Sequence, residues 1–271
     1  MIRVYLSGNR VHDRVLKAFY DGISGEKQLV RGWYYVPSEI AVVFGVYKSK
    51  IKMSHERGKI IRKQRENKHD VIVLETGYVN RGDGENHHYA AGWNGLNGRA
   101  DFKNQKSPPE RWAKMGVQLR PYSAGSKILL CGQVPWDASV DHSDHVKWLK
   151  DAAKRLRELT AKPIVFRPHP LAPLPPLPDC EFSKSTLEQD LADAFAVVTY
   201  NSNSAVDAAI FGKAVFAFDE GSMVWPIANK QFEIINDPIY PDRKQWAADL
   251  AYTQWTPTEM EQGLAWQHLT R

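Results

Sequence analysis

Short apolar runs alternate with helix-length polar segments along most of the chain, and this alternation constrains the fold more than any other feature. The runs lie at residues 3–6, 40–44, 71–74, 127–132, 163–166, 196–200 and 214–218. They lack a polar residue at every second position, which is typical of strands covered by helices on both faces. The sequence therefore predicts an α/β protein with mostly parallel sheets.

The segments between the runs carry helical signals and breaks. Residues 142–160 show apolar positions at helical spacing with basic residues opposite, and the helix that starts near residue 204 is expected to end at Gly212. The proline-rich segment 171–178 is expected to form an extended connection without regular structure. The tail after residue 241 predicts two helices separated at Pro257.

The length of 271 residues fits one large domain or two small ones. Residues 104–126 are proline-rich and separate the two sets of strands, which predicts a linker there. We expect an N-terminal domain over 1–120 and a C-terminal domain over 121–271 that includes the final helices. The fold class expected is α/β, with two Rossmann-like domains facing each other across a cleft.

Composition excludes several classes of protein. No apolar run approaches the ~20 residues of a membrane-spanning helix, and the first ten residues are too polar for a secretory signal. Only Cys131 and Cys180 are present, which excludes a disulfide framework and favours a cytoplasmic location. The net charge of +5 favours a phosphate-bearing partner.

The sequence FRPHP at 166–170 places a histidine directly after a predicted strand. Ligands of open α/β sheets bind at the carboxyl ends of the strands. The prolines on both sides of His169 restrict the backbone and present the imidazole rigidly. His169 and Arg167 are therefore candidates to bind phosphate oxygens. The alternative is a surface histidine between two turn prolines.

A second candidate site lies at 199–216, where a strand runs directly into a short helix. Backbone N–H groups at the helix start, joined by the hydroxyls of Ser202 and Ser204, suit a diphosphate, and Asn201 belongs to the same turn. The alternative is that Ser204 only caps the helix, which leaves Ser202 unexplained. Lys213 is expected to help neutralise a leaving diphosphate, so that no metal is needed.

A third candidate is the glycine-rich segment 75–98, in which Asp83 and Glu85 stand among histidines and aromatic residues. A carboxylate on such a loop can act as a general base toward a hydroxyl. The alternative is a polar surface loop, which would leave Tyr78, Tyr89 and Trp93 in water.

A basic stretch runs from Lys48 to Lys68, and a helix face of this charge can follow a nucleic-acid backbone. The alternative is an ordinary solvated helix face. Near the start of the 142–160 helix, His142 and His145 lack a third metal ligand, so that capping by Ser143 or Asp144 is expected instead. The chain contains no P-loop and no dinucleotide-binding fingerprint.

RPHP followed by NSNSAVDAAIFGKAVF resembles the C-terminal half of GT-B-fold glycosyltransferases of the capsular-polysaccharide and sialyltransferase-like kind. Those enzymes hold the phosphate of the donor nucleotide with a His-Pro motif and a Ser-rich motif. The resemblance implies that His169-Pro170 is the first motif and that Ser202 with Ser204 forms the second. It covers residues 127–219.

The same enzymes carry an acidic motif that ends in glycine in the N-terminal half, and its carboxylate is the catalytic base. Asp83-Gly84 matches this motif loosely, because Gly82 replaces its first acidic residue, and Glu85 remains a rival. The compact size and basic charge are similar to those of bacteriophage enzymes that glycosylate modified pyrimidines in DNA.

The expected function is transfer of a sugar from a nucleotide-sugar donor, without a cofactor, to a hydroxyl acceptor. The acceptor favoured is a hydroxymethylated pyrimidine in phage DNA, contacted by Arg62, Lys63, Arg65 and Trp93. A cell-surface polysaccharide is the alternative acceptor. A non-catalytic nucleic-acid-binding protein and a nucleotide-sugar epimerase are rival functions.

Overall fold

The computed structural model describes residues 1–32, 34–46, 55–140 and 142–271, without the side chains of His55 and Glu56. It consists of two compact units. Unit 1 comprises residues 1–115 and 247–271, and unit 2 comprises residues 116–246. Each unit contains one sheet of mostly parallel strands, which confirms the predicted α/β class.

The elements follow one another in this order along the chain. Those of the first part are β1 (Ile2–Leu6), α1 (Arg10–Gly22), β2 (Lys27–Arg31), β3 (Ile40–Phe44), α2 (His55–Glu66), β4 (Asp70–Thr76), β5 (Tyr89–Trp93) and α3 (Glu110–Lys114). The second part continues with β6 (Lys127–Cys131), α4 (His145–Leu159), β7 (Ile164–Arg167), β8 (Glu181–Phe182), α5 (Leu187–Ala192), β9 (Ala194–Thr199), α6 (Ser204–Phe211) and β10 (Ala214–Ala217). The tail contains α7 (Lys244–Ala251), β11 (Gln254–Trp255), α8 (Pro257–Glu261) and α9 (Leu264–Leu269).

The sheet of unit 1 has the order β11-β5-β4-β3-β1-β2. Strands β2, β1, β3 and β4 are parallel, whereas β5 and β11 run antiparallel to their neighbours. Val42 and Phe44 of β3 join one apolar cluster, while Ala41 and Val43 join the cluster on the other face. Burial on both faces is the reason that these strands read as continuous apolar runs.

The sheet of unit 2 has the order β10-β9-β6-β7-β8, and all of its strands are parallel. Helix α4 packs its apolar stripe, which includes Leu149 and Leu156, against one face of this sheet. Helix α6 packs against β9 and β10 and ends at Gly212, whose φ of 87° allows the left-handed turn. The predicted helix end at Gly212 is therefore confirmed.

The last 25 residues correct one part of the predicted domain organisation. Helices α8 and α9 belong to unit 1, not to the C-terminal domain in which the sequence placed them. Met260, Trp266 and Leu269 are buried in the apolar cluster beneath α1 and β1. Pro257 begins α8, where its missing N–H costs no hydrogen bond, and α7 ends before it, so the predicted separation of helices at Pro257 is found, with β11 between them. The predicted linker 104–126 contains the boundary between the units at residues 115 and 116.

The contact of α8 with α1 leads to a first prediction. A Cβ atom at Gly22 would lie 1.9 Å from the Met260 carbonyl oxygen, so that Gly22→Ala must displace the tail. We expect a loss of about 1–3 kcal/mol in the free energy of unfolding, measured in urea. Gly132→Ala is the control, because its Cβ would make contacts of 3.4 Å or longer, and it is expected to change stability much less. An equal effect of both changes would contradict the close packing of α1 and α8.

Among the described residues, no helix is both long and apolar enough to cross a membrane.

Candidate functional site

The carboxyl ends of β6, β7, β9 and β10 meet at one edge of the sheet in unit 2, because the four strands are parallel. Strand β6 lies between β7 and β9, so the loop that carries His169 and the turn that carries Ser202 flank the end of β6. The Gly132 N–H donates to the Arg167 carbonyl oxygen at 2.8 Å and ties the ends of β6 and β7 together. The two predicted phosphate-binding motifs therefore share one edge of one sheet.

His169 is half-buried in the turn that follows β7. Its Nδ1 accepts a hydrogen bond from the Leu171 N–H at 3.1 Å. A neutral imidazole carries one N–H, so this bond assigns the proton to Nε2, which remains available as a donor. Burial lowers the pKa of His169, although the nearby Asp137 carboxylate acts in the opposite direction. The site thus presents a neutral, fixed N–H donor at pH 7.

Ser202 and Ser204 form the turn from β9 into α6. Both the backbone N–H and the hydroxyl of Ser204 donate to Ser202 Oγ, at 3.3 and 3.0 Å. The N-cap of α6 is Asn203, and Ser204 is the first helical residue, so the alternative in which Ser204 caps the helix is wrong. Because Ser202 Oγ accepts both bonds, its own O–H is left to donate at the positive end of α6.

A buried network that the sequence did not reveal joins the ends of β6, β9 and β10. The Gln133 amide donates to Asn201 Oδ1 at 2.6 Å, and Gln133 Oε1 accepts from the Asn201 N–H at 2.9 Å. The Asn201 amide in turn donates to Asp219 Oδ1 at 2.7 Å and to the Ser139 carbonyl oxygen at 2.8 Å. The sequence predicted that Asn201 binds the nucleotide-sugar. This prediction is corrected, because the Asn201 side chain instead fixes the turn that carries Ser202.

Residues 132–140 and 142–144, here called the β6–α4 loop, lie between the end of β6 and the start of α4. His142 Nε2 lies 2.8 Å from Asp219 Oδ2 and 3.1 Å from the Tyr200 hydroxyl. At the end of the loop Asp144 caps α4 by accepting from the Lys147 N–H at 3.0 Å, as expected from the sequence. His145 accepts the Gln133 N–H through Nε2 at 3.1 Å, and its burial lowers its pKa to about 4.

The two cations predicted to neutralise a diphosphate are engaged elsewhere. Arg167 forms an ion pair with Asp190 at 2.8 Å and donates to the Ser185 carbonyl oxygen at 2.6 Å. Lys213 is 1% exposed and donates to the Ser123 and Ala192 carbonyl oxygens at 3.2 and 3.3 Å. Lys213 also precedes β10 and so lies at the amino-terminal edge of the sheet, opposite His169. The predicted role of Lys213 is therefore wrong, and the charge of Arg167 is already paired.

In unit 1, Asp83 and Glu85 lie in the loop 77–88 that follows β4, and both are exposed. The loop is held by Arg14, whose guanidinium donates to the Asp83 carbonyl oxygen, and by the Gly84 N–H, which donates to His87 Nδ1 at 2.7 Å. Burial and the Arg57 charge lower the pKa of His12, and the Asp83 carboxylate acts on that imidazole in the opposite direction. In the described part of the chain, Glu85 makes no comparable interaction with the first turns of α1.

His12 and Arg14 are neighbours of this loop that sequence reasoning missed. Both lie in the first turns of α1, directly after β1, at the edge where β3 and β4 also end. The His12 ring stacks on Phe44 with the ring centroids 4.0 Å apart, and burial together with the Arg57 charge lowers its pKa. The signal available in the sequence was the run of polar residues directly after the first predicted strand.

The aromatic residues of segment 75–98 serve the core. Tyr78 and Tyr89 are 3% and 1% exposed, so they do not require a ligand to cover them. Trp93 pairs with Ile72 near the amino end of β4, and its indole N–H donates to the Leu269 carbonyl oxygen at 2.9 Å. The predicted acceptor contact by Trp93 is wrong, because this residue lies at the opposite end of β5 from loop 77–88.

The described part of the basic stretch is helix α2 with the residues that follow it, whereas Lys48, Lys50 and Lys52 lie outside the described residues. Ile60 and Ile61 face the core, and Arg62, Lys63 and Arg65 are exposed. Glu66 pairs with Lys63 at 2.8 Å and with Arg62 at 3.9 Å, while Arg65 donates to the Asn94 carbonyl oxygen at 3.2 Å. This is the arrangement of a solvated helix face.

Among the described residues, no three or more His, Cys, Asp or Glu side chains are grouped so that they could hold a metal ion.

The fold is similar to that of two solved chains from Thermosulfurimonas dismutans. One is named KpsC, beta Kdo 2,7 transferase; it shares 15% identity at a TM-score of 0.60, over 100% of this chain and 99% of that chain. The other is named KpsC, beta Kdo 2,4 transferase, with 13% identity and a TM-score of 0.60 over 91% and 89% of the two chains. The sequence itself matches no protein-family model and no curated protein.

Proposed function

We propose that this protein is a glycosyltransferase that moves a sugar from a nucleotide-sugar donor to a hydroxyl of a saccharide. The observation that carries the proposal is the set of donors at the carboxyl edge of unit 2, where His169 and Ser202 flank β6 at the start of α6. The fold supports it, since both similar chains are named as sugar transferases and are matched over nearly their whole lengths.

In the proposed reaction, the negative charge that develops on the leaving nucleotide phosphate is stabilised in unit 2. His169 Nε2–H and the Ser202 hydroxyl donate hydrogen bonds to it, and the amino end of α6 supplies a positive dipole. Because Arg167 and Lys213 are engaged within the fold, neutral donors replace the cations that the sequence suggested. We assign the stabilisation to these groups rather than to a metal ion.

Unit 1 supplies the base in this proposal. The Asp83 carboxylate takes the proton of the acceptor hydroxyl while that oxygen forms a bond to the anomeric carbon. The bond between the anomeric carbon and the phosphate oxygen breaks, and its electron pair leaves with the nucleotide. Asp83 is preferred to Glu85 because Arg14 fixes its backbone and its charge acts on the His12 imidazole.

Donor binding tests the proposal directly. His169→Ala removes a hydrogen bond to a charged group, so nucleotide affinity measured by calorimetry should fall about ten- to hundred-fold. His169→Gln keeps an N–H donor and should retain part of the affinity. His69→Ala, at the amino end of β4 in unit 1, is the control and should bind as the unchanged protein does. Equal affinity of His169→Ala and the unchanged protein, with both folded, would refute the donor site.

Transfer itself is tested with a panel of nucleotide sugars that includes activated Kdo, because the similar chains are named as Kdo transferases. An enzyme should also hydrolyse its donor slowly in water, whereas a binding module should leave every donor intact. Release of a free epimer of the donor sugar would instead indicate an epimerase.

Variants that reverse the charges of α2 distinguish a DNA acceptor from a saccharide acceptor. Reversing Arg62, Lys63 and Arg65 to glutamate is expected to leave transfer to a saccharide unchanged, because these side chains form a solvated face. The unchanged protein should bind hydroxymethylated duplex no more than weakly at two salt concentrations. Tight binding that falls with salt by a slope of about 0.9 per phosphate, and that is lost on reversal, would restore the DNA acceptor.

A further inference from the structure

Trp136 is an exposed aromatic residue whose ring no described contact explains. Its side chain is 52% exposed in the β6–α4 loop, whereas Trp246, Trp255 and Trp266 are buried. In the described part of the chain its indole N–H has no hydrogen-bond partner, unlike that of Trp246, which donates to the Met223 carbonyl oxygen. Tryptophan is enriched at binding surfaces, where its ring supplies apolar area and its N–H a polar group.

The β6–α4 loop holds Trp136 beside the proposed phosphate site. Gln133 and Ser139, which precede and follow Trp136, are both hydrogen-bonded to Asn201 in the turn before Ser202. Asp137, the next residue along the chain, is near enough to His169 for its charge to act on that ring. The loop is therefore tied to the serine turn on both sides of Trp136, and the charge of its next residue acts on His169.

A second exposed apolar side chain extends the same surface. Leu171 is 77% exposed and its backbone N–H donates to His169 Nδ1, so it stands directly next to the proposed phosphate ligand. Trp136 and Leu171 lie on loops that leave the adjacent parallel strands β6 and β7 at the same edge. Two exposed apolar side chains thus stand on loops at the same edge as the phosphate donors.

We propose that Trp136 stacks on the nucleobase of the donor nucleotide and that Leu171 extends this apolar subsite. The inference rests on the proposed donor site, since it places the base one ribose away from the phosphate held by His169 and Ser202. A nucleobase fits better than the transferred sugar because it is planar and offers a π-face to the indole. Stacking of this kind accepts any base, so the subsite sets affinity for nucleotides rather than the choice among them.

The test compares four probes by calorimetry: uridine monophosphate, cytidine monophosphate, inorganic phosphate and glucose 1-phosphate. Trp136→Ala should weaken binding of both nucleotides about 5- to 150-fold and leave inorganic phosphate unaffected. Trp136→Phe keeps an aromatic face and should recover most of the loss. Ile239→Ala is the matched control, because Ile239 is 66% exposed in the same unit but is bonded to Asn229 beside β10.

Each outcome separates the subsite from the donor site as a whole. If His169→Ala weakens binding of all four probes while Trp136→Ala weakens binding of none, the phosphate site stands and the nucleobase subsite is refuted. If Trp136→Ala weakens glucose 1-phosphate but not the nucleotides, the ring binds the sugar and the inference is wrong. If the unchanged protein and His169→Ala bind every probe equally, the proposed donor site itself fails.

Discussion

Asp83→Asn is expected to lower the rate of sugar transfer by about 10²- to 10⁴-fold while nucleotide affinity stays unchanged. An amide cannot take the proton of an acceptor hydroxyl, but it preserves the size of the side chain and the hydrogen bond from Arg14 to the Asp83 backbone. The expected signature is a fall in kcat without a change in the donor Kd. Single-turnover transfer and calorimetry on the same preparation measure the two quantities.

Glu85→Gln is the matched control, since it removes an exposed carboxylate two residues away in the same loop. We expect it to keep nearly full transfer. If Glu85→Gln abolishes transfer and Asp83→Asn does not, the base is Glu85. If both variants are fully active, loop 77–88 does not supply the base and the proposed role of unit 1 is wrong.

Acidification from pH 7 to 4 is expected to destabilise the protein by about 3 kcal/mol through His145 alone. Burial lowers the pKa of His145 to about 4, below its ordinary value of 6.5. Between these two values the unfolded chain binds a proton at His145 that the folded protein does not. The contribution of His145 to the free energy of unfolding is therefore complete above pH 6.5 and is lost as the pH falls toward 4. Protonation would also turn the Nε2 acceptor into a donor that faces the Gln133 N–H.

Urea unfolding at a series of pH values measures this effect, and His145→Gln isolates it. Glutamine keeps an acceptor for the Gln133 N–H but does not titrate, so the variant should lose about 3 kcal/mol less than the unchanged protein over the same range. The comparison is needed because burial also lowers the pKa of His88 and His268 in unit 1. Parallel stability profiles of the two proteins would contradict the assigned pKa.

The seven strands predicted from apolar runs are all present, because strands buried on both faces must be apolar throughout. The missed strands lack that signal. Strand β5 contains two alanines and a glycine, β2 lies at a sheet edge with one buried residue, and β8 and β11 are two residues long. The position of the tail could not be predicted either, since its amphipathic helices suit any apolar surface.

Connectivity explains which site residues the sequence could place. His169 and Ser202 follow parallel strands directly, and both lie at the carboxyl edge of the sheet. Lys213 comes after a helix that returns the chain to the other edge, and Trp93 ends an antiparallel strand, so the topology alone removes both from the site.

Arg167 and Asn201 are held within the fold by partners that lie far from them in the sequence. Arg167 pairs with Asp190, and Asn201 bonds with Gln133, 68 positions away. No local pattern marks such pairs, and the sequence therefore cannot tell a free polar side chain from one held within the fold.

The membership of the tail in unit 1 sets an order of events during synthesis. Residues 116–246 of unit 2 leave the ribosome as one uninterrupted segment and can fold as soon as they emerge. Unit 1 begins first but lacks Trp255, Met260, Trp266 and Leu269 of its core until residues 247–271 have also been made. The amino-terminal sheet must therefore wait, with part of its apolar surface exposed, until unit 2 has been made. We therefore expect unit 2 to complete its fold before unit 1, the reverse of the usual order in which the amino-terminal domain folds first.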